Sequence, residues 1–161
     1  MGEKRHKSTR AAYIIKSLLF TTYLAFLFWR MFFYAYNNLF RIQSKAYEYN
    51  IIPLKTIYSL LTGYSKYGFT VWGYNLFGNI AVFVPVGFLL VALQRKKKKT
   101  MLAVTVSFFI ILFAELMQLL MKVGVFDVDD IILNLIGTLI GCFLYKAILS
   151  VICKYRYRSK G

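Results

Sequence analysis

Four stretches of this 161-residue chain are long, apolar and nearly free of charge: residues 17–36, 76–93, 101–121 and 131–152. About 17–25 such residues are enough for a helix to cross a bilayer. Inside hydrocarbon the backbone must satisfy its own polar groups, so these stretches commit the chain to an all-α bundle of four transmembrane helices. Composition agrees, because 59% hydrophobic and 19% aromatic residues suit a small polytopic membrane protein better than a soluble domain. The expected arrangement is one membrane domain over residues 1–161, with a partly helical loop at 37–75 and a short basic loop at 94–100.

Positive charge then orients the spans. Lys16, Arg30 and Lys146 intrude only near span ends, where long side chains reach the interface. The tail Lys4-Arg5-His6-Lys7-Ser8-Thr9-Arg10 resembles the start of a signal peptide. The apolar segment behind it is too long for one and lacks a small-x-small cleavage site, so it reads as an uncleaved anchor. One side of a four-span topology collects Lys4, Arg5, Lys7, Arg10, Lys16, the run Arg95-Lys96-Lys97-Lys98-Lys99, Lys146, Lys154, Arg156, Arg158 and Lys160, fifteen in all. The other holds six: Arg30, Arg41, Lys45, Lys55, Lys66 and Lys122. Basic residues in short loops stay cytoplasmic, so both termini are expected inside a plasma membrane, with loops 37–75 and 122–130 outside. The same lysine-rich run resembles a nucleic-acid patch, but apolar spans flank it on both sides. A topogenic signal that also attracts anionic lipid explains it without any nucleic acid.

Chemistry is restricted by what is missing. His6 is the only histidine and lies in the tail; Cys142 is mid-span and Cys153 near a span end. No Ser-His-Asp or Cys-His set, no His/Cys metal site and no glycine-rich nucleotide loop can be assembled from this sequence. Catalysis, if present, runs on carboxylates, amides, hydroxyls or a hard cation.

The carboxylates are concentrated. Four of the six, Glu115, Asp127, Asp129 and Asp130, fall within sixteen residues of otherwise apolar sequence. An ionisable group at membrane depth costs on the order of 2.5–3.5 kcal/mol or more and is by default a functional-site hypothesis. Around them, Asn75 and Asn79 share a helix face ahead of Pro85, which predicts a kink. Glu115 and Gln118 share another face, and Asp130, Asn134, Gly137 and Gly141 form a stripe whose glycines permit close packing. The three pieces lie at matching depth, within about two helical turns at ~1.5 Å per residue. Glu115, Asp129, Asp130, Asn79 and Asn134 are therefore expected in one cavity. Carboxylates so close need a cation, a shared proton or a basic partner such as Lys55, Lys66 or Lys122. Each piece has an ordinary reading too: Asp127 or Asp129 as a helix cap, and Asn79, Gln118 and Asn134 as interhelical hydrogen bonds.

The pattern Asn79-Ile-x-x-Phe83-x-Pro85-x-Gly87, then Glu115-x-x-Gln118, then Asp127-x-Asp129-Asp130-x-x-x-Asn134-x-x-Gly137, resembles the VanZ family of bacterial membrane proteins. The string Asn50-Ile-Ile-Pro53-Leu-Lys55-Thr56-Ile57 is similar to the family's preceding segment, so the likeness covers residues 50–141. It implies a cell-envelope setting and a link to resistance against teicoplanin, a lipidated glycopeptide; it supplies no reaction.

Two function classes follow. In one, a non-catalytic envelope factor engages a lipid-linked precursor or a lipoglycopeptide tail, with Asn79, Gln118, Asp127, Asn134 and Lys55 as contacts. In the other, a membrane-embedded enzyme acts on a lipid substrate through Glu115, Asp129 and Asp130, which could also hold a divalent cation. A proton-coupled carrier is a third option.

Overall fold

The computed structural model describes residues 2–34, 47–62, 73–94, 99–122 and 124–159, with the side chains of residues 2–9, 33, 34, 74 and 99 left out. The first helix, α1, runs Gly2–Trp29 and widens into a π-helical turn at Arg30–Tyr34. A two-residue strand, β1 (Tyr49–Asn50), precedes a short helix, α2 (Lys55–Thr62). A second π-helical turn, Tyr74–Gly78, leads into α3 (Asn79–Leu93). Helix α4 (Lys99–Leu120), strand β2 (Phe126–Asp127) and helix α5 (Val128–Arg158) complete the described chain.

Among the described residues, four helical segments are long and apolar enough to cross a membrane: Arg10–Phe32, Asn75–Leu93, Thr100–Leu120 and Val128–Arg158. They match the four expected spans, shifted by several residues at the first and extended at the last. At 31 residues α5 measures about 46 Å, against a hydrocarbon thickness of about 30 Å. Its final turns, carrying Lys154, Arg156 and Arg158 with the exposed Tyr155 and Tyr157, therefore project beyond the apolar layer. The helical part expected of the loop at residues 37–75 is α2. Of the tyrosine-rich loop, Tyr47, Tyr49 and Tyr58 are exposed. Tyr36, Tyr64, Lys66, Tyr67, Trp72 and the side chains of Tyr34 and Tyr74 lie outside the described residues.

Packing is tightest between α3 and α5, and glycine is the reason. A Cβ at Gly137 would overlap the Ile80 carbonyl, one at Gly141 the Val84 carbonyl, and one at Gly87 the Thr138 carbonyl. Three backbone-to-backbone approaches lock the two helices in one register, the small-residue packing that replaces hydrophobic driving force in lipid. Around this seam, Phe83, Val86 and Val91 of α3 pack with Ala103 and Ile111 of α4 and with Ile131 and Cys142 of α5. Helix α1 is peripheral. It is held through buried Leu27, through the Tyr23 hydroxyl donating to the Val82 carbonyl at 2.8 Å, and through Lys16 donating to the Ala92 carbonyl at 3.3 Å. Pro85 lies inside α3 and frees the carbonyl of Ala81, next to the one that Tyr23 binds.

Exposed Phe109, Phe143 and Val151 give the bundle an apolar exterior suited to lipid. Polar groups collect instead at the end where α3 and α5 begin and α4 finishes.

Candidate functional site at the acidic end

Strand β2 and the start of α5 set the geometry. Tyr49 pairs with Phe126 and Asn50 with Asp127 in a two-stranded parallel ladder, which brings the segment before α2 against the start of α5. Asp127 has extended backbone and caps α5, its side chain accepting the Asp129 N–H at 2.9 Å. The same carboxylate receives the Asn50 side-chain amide at 3.0 Å and the Thr56 hydroxyl at 2.6 Å.

Asp129 is fully buried, and its carboxylate takes the backbone N–H groups of Leu54 at 2.5 Å, Thr56 at 2.7 Å and Ile57 at 3.1 Å. These amides open α2, so a negative charge sits at the positive end of that helix. The approach requires a sharp turn. Lys55 N–H closes onto the Ile52 carbonyl at 3.4 Å, with Pro53 and Leu54 at its centre and Leu54 at φ 65°. That is the pattern of a type II turn, in which the position held by Leu54 ordinarily favours glycine. The strained residue is the one whose N–H reaches Asp129.

The remaining carboxylates face elsewhere. Glu115, 1% exposed, accepts the Asp127 N–H at 3.4 Å, and Asp130 accepts the side-chain amide of Asn79. Glu115, Asp130, Asn79, Gln118 and Asn134 line a cavity of about 120 Å³, together with Arg30 and Tyr23 and an apolar wall that includes Phe26, Leu27, Met31 and Val82. Electrostatically the four acids form one group: the charges of Asp127 and Asp129 act on Asp130, and those of Asp130 and Asp127 act on Glu115. Asn134 is 2% exposed, and its Oδ1 has no hydrogen-bond donor.

The sequence-derived residues thus divide into two sets. Glu115, Asp130, Asn79, Asn134 and Gln118 meet in the cavity. Asp127 and Asp129 do not line it; they anchor the β1–α2 segment. Lys55 is exposed, and what its stretch contributes is backbone amides to Asp129, not its ammonium. Lys122, another basic residue of this end, lies over the Tyr47 ring at 4.6 Å. Among the described residues no group of three or more His, Cys, Asp or Glu is arranged to hold a metal. The proposed trio is separated because the Asp129 oxygens already serve three amides, leaving Glu115 and Asp130 as the pair facing the cavity.

Sequence reasoning missed Arg30, placed at the interface by its position near a span end, and missed Tyr23. The signal was available for Arg30, since a guanidinium within membrane-spanning sequence is a site hypothesis in its own right. Asn50 and Thr56 entered only as part of a family-like string, without a role.

No curated protein and no solved structure matches the chain. Residues 20–150 match the model of the VanZ/LLP1 family, most of the chain including every residue of the cavity and of its anchor, and the chain belongs to that family.

Proposed function

We propose that this protein is a non-catalytic envelope factor of a bacterial plasma membrane. In this reading it lowers susceptibility to lipoglycopeptides such as teicoplanin by engaging a lipid-linked precursor or the drug's tail at the outer leaflet. The observation that supports it is the two-sided cavity: Glu115, Asp130, Asn79 and Asn134 present polar groups, while Phe26, Leu27, Met31 and Val82 present apolar ones. Such a lining suits an amphiphile, taking a polar head on one side and alkyl chain on the other. Family membership adds the link to glycopeptides.

The orientation is part of the proposal. The fifteen-to-six bias of basic residues supports an orientation with both termini and the loop 94–100 inside and the acidic end outside. In a background lacking Cys142 and Cys153, a thiol at Gly124 should label from outside and one at Lys97 should not; the reverse pattern overturns the orientation. For the function, cells with and without the chain are compared against a lipidated glycopeptide and one lacking the lipid tail. Tolerance should rise for the lipidated drug alone. Equal susceptibility to it in both strains contradicts the reading.

An enzymatic reading has one observation in its favour, namely that Glu115 and Asp130 line the same cavity and could act as acid and base. It requires turnover of a lipid by the purified protein, lost on Glu115→Gln. A divalent cation, if one belongs here, would draw on Glu115 and Asp130 without Asp129.

A further inference from the structure

The segment from β1 through α2 has its polarity turned inward. The Asn50 side-chain amide and the Thr56 hydroxyl donate to Asp127, and the Ser59 hydroxyl donates to the Thr56 carbonyl at 2.9 Å. The backbone amides that open α2 go to Asp129. What the segment shows to its surroundings is apolar. Within residues 51–61, Ile51, Ile52, Tyr58 and Leu61 are each more than half exposed, and Tyr58 and Leu61 share one face of α2. A cluster of exposed apolar side chains marks a surface with a partner. The amides add a second sign. Free N–H groups at a helix start can bond water where water is present, whereas in lipid each needs an acceptor from the protein. Here a buried carboxylate supplies it.

The level of the segment agrees. Helix α5 outruns the hydrocarbon layer at its basic end, which leaves its first turn, with Asp129, at the opposite boundary. The ladder to β2 and the amides on Asp129 hold residues 49–57 at that boundary. Helix α4 finishes at the same end in Leu120, itself exposed.

We propose that residues 51–61 lie within the leaflet at the acidic end, their outward face covered by lipid. Ile51, Ile52, Tyr58 and Leu61 enter the boundary between headgroups and acyl chains, about 5–10 Å deep. The exposed Lys55 extends back to the headgroups along its own alkyl stem. Asp129 is then the group that lets a helix begin in lipid, because it provides the acceptors that water provides elsewhere. The inference holds for either orientation of the chain and does not depend on what the cavity binds.

The test uses the full chain in vesicles of phosphatidylcholine and phosphatidylglycerol. Nitroxide labels are attached singly to Ile52→Cys, Tyr58→Cys and Leu61→Cys in the background lacking Cys142 and Cys153. Phe109→Cys, on the exposed side of α4, and Tyr157→Cys, in the projecting end of α5, are the references for lipid and for water. Collisions are read with oxygen, which concentrates in lipid, and with a water-soluble nickel chelate. The ratio of oxygen to nickel collisions at 52, 58 and 61 should exceed that at 157 several-fold and approach that at 109. A ratio matching that at 157 for most of the three positions puts the segment in water and overturns the proposal. Low collision rates with both reagents also overturn it, since a second copy or another part of this chain then covers the face. The unmodified protein gives an independent reading. Hydroxyl radicals generated in the water should oxidise Tyr58 several-fold more slowly than Tyr157, and equal rates contradict the placement even where no labelled variant folds.

Discussion

Asp129 and Thr56, far apart in sequence, are joined by a backbone N–H donated to a carboxylate oxygen at 2.7 Å. With the Leu54 and Ile57 amides on the same group, this contact ties the first turn of α2 to the first turn of α5. The acid is spent on architecture, and that determines which carboxylates remain for function.

Asp129→Ala should therefore behave as a folding lesion. Hydrogen bonds to a charged group contribute about 1.5–3 kcal/mol each, and the three here are not additive, so a loss of about 3–5 kcal/mol is expected. Limited proteolysis should then cut within residues 47–62 faster than in the parent protein. Parent-like stability in Asp129→Ala would remove the anchoring role.

Leu54→Gly should act in the opposite direction. Leu54 sits at φ 65° and is 58% exposed, so glycine relieves strain and gives up little burial. Left-handed backbone costs a residue with a Cβ about 1–2 kcal/mol, partly offset by the greater freedom of glycine in the unfolded chain. A net gain of up to about 1 kcal/mol is expected in a thermal melt. Clear destabilisation would mean that the Leu54 side chain carries an interaction beyond its backbone.

Gly137→Leu and Gly141→Leu should abolish accumulation of folded protein, because even a Cβ at either position meets backbone of α3. Gly73 is the control, with nothing near its absent Cβ. Gly73→Ala should fold as the parent does. Gel filtration in detergent separates these outcomes, and monodisperse, parent-like Gly141→Leu would show that the seam can open without loss.

Much of this was legible in the sequence, for physical reasons. Spans announce themselves because lipid forces whole segments to be apolar, and Gly137 and Gly141 because close packing needs a repeat of four. Glu115, Asn79 and Asn134 stood out because polar groups at that depth are costly. The division of labour among the acids was not legible. Asp129 and Asp130 are neighbours with the same side chain, and only the paths of α2 and α3 decide which meets amides and which meets Asn79. Two-residue strands such as β1 and β2 are too short to show a period of two. Lys55 drew notice through its charge, while its segment acts through main-chain N–H groups that no side-chain pattern reveals.

The central claim is that Glu115 and Asp130 serve the cavity while Asp127 and Asp129 hold it together. The most direct measurement is lipoglycopeptide tolerance in cells carrying Glu115→Gln or Asp130→Asn, at matched levels of folded protein. Both substitutions keep shape and one side-chain acceptor oxygen while removing charge. The account predicts that each variant folds like the parent and loses tolerance. Full tolerance in both would contradict it and make the whole acidic group structural.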